Sequence, residues 1–240
     1  MRILNDATHE VGHRAARVFL SHADVAFVGI WEDPAAGTAA RSGPVTDAAG
    51  FDIIVTDRTE AFDDLVARAA VEHIPIVIWG DAETLAEGRS TAPVIRGANV
   101  GSALTQALEH HPAADVSSSD TVLRAWTEPG APLHNGHPIA FPEPVGMSWA
   151  QRRGSEEFVS FRDDQWGGAV LRVTGPESDR VIGAADHAAH LEALVLASAA
   201  FATISSPPEN RVGSAASLGE QLMNSLTKVE LDLAVWRSSV

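Results

Sequence analysis

MRILNDATHEVGHRAARVFL, residues 1–20, decides the fold. Ile3 and Leu4 form a short apolar strand, the residues after them a tight polar turn. Val11, Ala15, Val18 and Phe19 then recur on one face of a helix. Strand, turn and amphipathic helix in that order open a mononucleotide-type βαβ unit, whose phosphate site is the turn.

The turn itself, DATHEVG at residues 6–12, resembles the GATGxVG turn of atypical short-chain dehydrogenases and saccharopine-dehydrogenase-like proteins. Asp6 and His9 stand where its first two glycines belong, and only Gly12 remains. The resemblance implies a dinucleotide, NAD or NADP, lying over Ala7, Thr8, His9, Glu10, Val11 and Gly12. The three glycines serve separately for the sharp turn, for backbone approach to the pyrophosphate and for close helix–strand packing. Gly12 keeps the packing role. Asp6 and His9 are expected to put side chains where phosphate oxygens would lie, which weakens or abolishes binding at the helix N-terminus. Two readings stay open: an oxidoreductase with an impaired cofactor site, and a scaffold without cofactor.

Composition narrows the chemistry. The chain has 240 residues, no cysteine, no tyrosine and a net charge of −15. Without cysteine there are no disulfides, no thiolate catalysis and no Cys-ligated metal. The acidic balance argues against a nucleic-acid partner. No run of about 18 uninterrupted apolar residues exists, so no membrane span is expected. The N-terminus lacks a signal-peptide pattern, and a cytoplasmic place is expected. Without tyrosine the Tyr-x-x-x-Lys relay of short-chain dehydrogenases is absent. Lys228 is the single lysine, so acid–base chemistry falls to His, Asp, Glu or Lys228.

Along the chain the pattern predicts alternating strands and helices. Residues 24–31 read as a strand ending at Glu32, about twenty residues past the turn, where an acid would bond the ribose hydroxyls and favour NAD over NADP. A strand end opening a turn at Pro34 is the alternative. A short strand near residues 44–46 is followed by a buried strand at 51–57, which places Thr56 and Asp57 at the ligand-binding edge of an open sheet. A helix at 61–73, a strand at 74–79, a short turn or helix at 84–87 and a strand at 93–97 complete a doubly wound parallel sheet. The junction GANVGS, residues 97–102, resembles the Gly-Ala-Gly-x-x-Pro-Gly exit of saccharopine-dehydrogenase-like nucleotide domains. Asn99 there either accompanies an anion held by the amides of Gly101 and Ser102 or caps the helix at 103–110.

Residues 112–120 read as a linker between a Rossmann-like domain, 1–114, and a smaller α+β domain, 115–240. In the second half, strands are expected at 121–126, 158–161, 168–173 and 180–183, forming an antiparallel sheet. The proline-rich stretch 127–146 reads as loop or edge strand, 186–203 as a helix, 205–217 as loop and 218–236 as a last helix. The resemblance implies that this domain closes over the cofactor and makes a homodimer.

Chemistry outside the turn has three candidates. His134 and His137 lie in the proline-rich stretch, as backbone-bonded loop histidines, as pocket lining, or less convincingly as a zinc pair; no metal is expected. Asp186 is placed to cap the next helix, and His187 is the choice for proton transfer if the chain is an oxidoreductase. Arg152 and Arg153 either clamp the carboxylate of a small substrate or, with the tryptophans, form an interface.

Overall fold

A computed structural model describes residues 1–31, 40–58, 63–80, 91–176, 178–207 and 212–239. The first half is built as the opening stretch dictates. Strands β1 (Arg2–Asp6), β2 (Phe27–Trp31), β3 (Ser42–Val45), β4 (Ile53–Thr56), β5 (Ile76–Ile78) and β6 (Val94–Arg96) lie side by side, every pair parallel. Their order is β3-β2-β1-β4-β5-β6, so the winding reverses between β1 and β4. Ile53, Ile54 and Val55, buried on both faces, show why a continuous apolar run belongs in such a sheet. Helices α1 (Glu10–Ser21) and α2 (Asp63–Glu72) supply the crossovers. The turn expected at Pro34, the first residues of the helix expected at 61–73 and the turn or helix expected at 84–87 lie outside the described residues.

The junction after β6 forms a π turn, Val100–Leu104, running into α3 (Thr105–Ala107) and a 3-10 turn, Leu108–His110. Strands β7 (Thr121–Pro129), β8 (His137–Ala140), β9 (Met147–Arg152), β10 (Glu157–Arg162), β11 (Trp166–Thr174) and β12 (Ser178–His187) then build the second sheet. Its strands pair antiparallel except β7 with β10, which run parallel, so the sheet is mixed rather than purely antiparallel. The proline-rich stretch yields β8 as an edge strand, where missing amide donors matter least. Ile139, Phe141 and Val145 from this region pack on Ala125, Phe158 and Val170, covering part of the sheet's outer face.

Helix α4 (Ala188–Ser205) joins the two halves. It packs against α1, β4 and β5 of the first half and against β11 and β12 of the second. A helix walled on all sides has no reason to keep a polar stripe, and this one is apolar all round. In length and composition it would also pass for a membrane span, but most of it is buried inside the protein. Phe201 on α4 meets Phe19 of α1 edge to face, centroids 5.6 Å apart, and His22 at 4.8 Å.

Three expectations for the C-terminal part are corrected. Asp186 belongs to β12, its carboxylate accepts the next amide, that of His187 (2.6 Å), and lies 3.8 Å from His190 Nε2, while α4 begins at Ala188. The stretch 205–217 contains a strand, β13 (Val212–Ser214), which pairs parallel with β6 and returns the chain to the first sheet. The last helix, α5 (Gly219–Lys228), stops eight residues short of the expected end at Trp236. Glu230 takes a left-handed φ of 61°, which a helix does not tolerate. Residues Ala234–Ser239 form β14, pairing with the otherwise open edge of β12.

Candidate functional site

The β1–α1 turn sits at the carboxyl ends of β1 and β4, at the reversal point of the winding. Its amides point, as helix N-termini do, at one anion. That anion is the chain's own. The Asp57 carboxylate, fully buried just after β4, accepts the amides of Thr8 (2.7 Å), His9 (2.8 Å) and Gly12 (2.8 Å), and the Thr8 hydroxyl (2.9 Å). Charge-assisted bonds of this kind contribute about 1.5–3 kcal/mol each. Gly12 is required for it: a Cβ there would stand 2.5 Å from Asp57 Oδ2 and 2.8 Å from the Ala7 Cβ. The crevice where an open α/β sheet takes its ligand is thus bridged by side chain and backbone of the same protein.

Of the two expected obstacles, Asp6 points away from the turn, whereas the His9 ring stays beside the cradle, its Nδ1 3.5 Å from Asp57 Oδ1. Asp6 is buried at the end of β1 and turns to the Thr56 hydroxyl (3.0 Å) and the Arg58 guanidinium (2.8 Å). Burial raises its pKa, and the Arg58 charge and hydrogen bonds oppose the rise. His9 is the N-cap residue of α1, but its ring makes no cap bond; it is half exposed beside Thr8 Oγ1 (2.9 Å). Glu10 is exposed and salt-bridged to Arg14, and Val11 lines the cleft described next. Glu32 lies outside the described residues.

A cleft opens between the two sheets, beside this turn. It consists of two adjoining cavities of about 540 and 270 Å³ that share Trp79, Thr127, Glu128, Pro129 and Glu192. Trp79 follows β5, so the cleft reaches the carboxyl edge of the parallel sheet. Asn99 lines it too, and its role is the helix cap: its Oδ1 accepts the Ser102 amide (2.8 Å), and its amide group donates to the Trp79 carbonyl (3.2 Å). Glu192, from the first turns of α4, holds Trp79 Nε1 (2.8 Å) and the Val100 amide (3.0 Å) with the same oxygen, Oε2. Burial pushes this carboxyl up to about 7, the two hydrogen bonds pull against it, and the charge of Glu128 adds to the rise. A carboxyl that titrates near neutrality in a cleft has the properties of an acid–base group.

Of the arginine pair, Arg153 lines the cleft, salt-bridged to Glu128 with its guanidinium 5.9 Å from the Trp126 ring centroid. Arg152 lies over Phe158 instead, at 5.5 Å, outside the cleft. His137 stacks on Phe158 at 4.9 Å and lines a separate cavity with Trp236, and His134 is exposed on the preceding loop. Neither histidine reaches the cleft. His187 is the residue before α4, its ring 6.5 Å from that of Trp166, and its buried Nδ1 has no hydrogen-bond partner among the described residues. It adjoins the smaller cavity without lining it. Among the described residues no group of three His, Asp or Glu is arranged to hold a metal.

Glu192 was not picked out in the sequence, although a signal exists. It is the only Asp, Glu, Lys or Arg in AAHLEALVLASAAFATIS, residues 188–205: within α4, every other residue is apolar, small, hydroxylic or His190. A lone carboxyl in an apolar helix is there either by accident of exposure or for a site.

No family model and no curated protein matches the chain. Solved structures do. A dihydrodipicolinate reductase from Paenisporosarcina sp. TG-14, solved with dipicolinate bound, superposes with a TM-score of 0.54 at 9% identity, over 92% of this chain and 98% of that one. A candidate oxidoreductase from Magnetospirillum magnetotacticum MS-1 gives 0.48 at 12% identity, over 94% and 98%. A candidate NADPH-dependent oxidoreductase from Desulfitobacterium hafniense DCB-2 gives 0.47 at 9%, over 98% and 97%. The first of these establishes the likeness of fold, a Rossmann-like parallel sheet followed by a second sheet domain.

Proposed function

We propose that the chain has the frame of an NAD(P)-dependent oxidoreductase but no longer seats a dinucleotide at its β1–α1 turn, so that it is weakly active or inactive as a dehydrogenase. The observation that carries this reading is the Asp57 carboxylate on the amides of Thr8, His9 and Gly12. A pyrophosphate would compete with that carboxylate for the same donors, and with Asp57 in place it would meet like charge at contact distance. The frame is supported by the fold likeness to a dihydrodipicolinate reductase and by the resemblance of residues 6–12 and 97–102 to saccharopine-dehydrogenase-like and atypical short-chain dehydrogenase-like turns. If a nicotinamide is held at all, Glu32 favours NAD, because a carboxylate repels a 2′-phosphate. Proton transfer would then fall to Glu192 in the cleft or to His187 beside it.

A second reading is a non-catalytic scaffold that pairs with a second copy through the second sheet. Met147 (71% exposed) and Trp149 (44%), two residues apart on β9 and so on one face of it, favour it, since adjoining large apolar side chains left in water mark interaction surfaces. Titration with NADH and NADPH, followed by nicotinamide fluorescence, separates the readings from an intact enzyme. The expected result is no saturation up to about millimolar nucleotide, whereas saturation in the micromolar range with turnover of any small carbonyl or imine substrate overturns the proposal.

A further inference from the structure

The cleft between the sheets has a charge that the frame does not explain. Its lining carries four carboxylates, Glu128, Glu157, Asp164 and Glu192, against two guanidiniums, Arg153 and Arg162. Both arginines are already committed. Arg153 is bound to Glu128, and Arg162 makes two bonds to Asp164. Among the described residues Glu157 and Glu192 have no cationic partner, and no histidine or lysine lines the cleft. Among the described lining residues, a carboxylated or phosphorylated ligand entering this space would find no arginine without a carboxylate partner and two carboxyl groups, Glu157 and Glu192, without a cation.

We propose that the cleft binds a small organic cation, an amine or amidine carried on a flat apolar body, with Glu192 as its counter-ion. The geometry of Glu192 is the first support. Its Oε2 is fixed by Trp79 Nε1 and the Val100 amide, while Oε1 makes no hydrogen bond among the described residues and the side chain borders both cavities. A carboxylate clamped by one oxygen presents the other in a set direction, which lowers the ordering cost of binding.

The walls are the second support. Trp79 and Trp126 flank the larger cavity and Trp166 the smaller. Indole faces attract cations and offer flat apolar area. One of them already does so within the protein, since the Arg153 guanidinium lies by the Trp126 ring. Val11, Val100, Pro129 and Leu191 add an apolar floor to the smaller cavity, room for the body of such a ligand. Burial raises the pKa of Glu192, and a bound ammonium would favour the ionised carboxyl and release the proton held there.

This inference goes beyond the reading of the β1–α1 turn and does not rest on it, because the groups invoked belong to the cleft walls. Benzylamine and benzamidine serve as probes, with benzyl alcohol and benzoate as neutral and anionic counterparts of the same shape. Saturation-transfer NMR and calorimetry on the full chain at neutral pH give the affinities. The expected order places both cations at least about tenfold tighter than benzyl alcohol, and benzoate weakest. Glu192→Gln, which keeps an oxygen for Trp79 and Val100, should weaken the cations by about tenfold or more and leave benzyl alcohol unchanged. Glu157→Gln should weaken them less, and the surface change Glu220→Gln not at all. Benzoate binding as tightly as benzylamine, cation binding untouched by Glu192→Gln, or no binding of either cation at about 10 mM each overturns the proposal.

Discussion

At the scale of single residues, two carboxyl groups set the properties of the site. Asp57 is buried and takes four donors, so any replacement leaves donors facing nothing. Asp57→Asn exchanges one acceptor oxygen for a donor and should cost about 2–3 kcal/mol of stability, seen as a lower denaturant midpoint with an unchanged slope. An unaltered midpoint would mean that the carboxylate does not hold the turn. Glu192 predicts a pH dependence. Its pKa is raised from 4.5 unfolded to about 7 folded, so the folded protein keeps a proton that the unfolded chain releases. The stabilisation is complete below the unfolded value and is lost as pH rises through about 7. Wild type should therefore lose about 3 kcal/mol relative to Glu192→Gln between roughly pH 4.5 and 8, measured by urea unfolding. A difference that stays flat across that range contradicts the assignment. The two groups were unequally legible. Asp57 could be placed at the ligand edge from the apolar run ending in Thr-Asp, but that its side chain would turn back into the turn depends on a contact 45 residues away in sequence. The direction of the Asp6 side chain is not legible in the sequence, because Arg58 and Thr56, which draw its carboxylate away, are neighbours only once β1 and β4 pair.

At the scale of elements, the opening strand–turn–helix is specified by local pattern, and Gly12 is its tightest point. Gly12→Ala would drive a methyl group into Asp57 and Ala7. The expected destabilisation is about 1–3 kcal/mol in thermal or chemical unfolding, the cost of overpacking a site with no slack. A neutral result would show that α1 can retreat from β1 without loss. Elements whose identity depends on distant partners were harder to read. The stripe Leu222, Leu226, Val229, Leu233, Trp236 has helical spacing throughout, yet the helix ends at Lys228. Residues 234–239 pair with β12 and so cover a strand edge that would otherwise be open, a contact that no local helical spacing reveals. Strand β13 is three residues long and its signal is lost among small residues; only the exposed edge of β6 explains it.

At the scale of the whole molecule, α4 makes the two sheets one cooperative unit. Its residues, together with both sheets and α1, belong to one continuous hydrophobic cluster, and the chain returns through β13 to the first sheet before finishing in the second. Scanning calorimetry should give a single transition, and Phe201→Ala, which empties the contact with Phe19 and His22, should lower it as a whole by about 3–5 kcal/mol. Two resolved transitions, only one moved by Phe201→Ala, would contradict a shared core. The parallel sheet was readable from composition and period because each strand is a short apolar run between turn signals. The shared helix was readable as a helix but not as a partition, since apolarity on every side says that it is buried and not between what.

The central claim, an anion cradle satisfied from within, is tested most directly by the amide signals of Thr8, His9 and Gly12. In ¹H–¹⁵N spectra recorded during titration with NADH, these three resonances should remain in place in the wild-type protein up to about millimolar nucleotide and should move in Asp57→Asn. Saturable, micromolar shifts of all three in the wild type would show that a pyrophosphate reaches the amides that Asp57 is held to occupy.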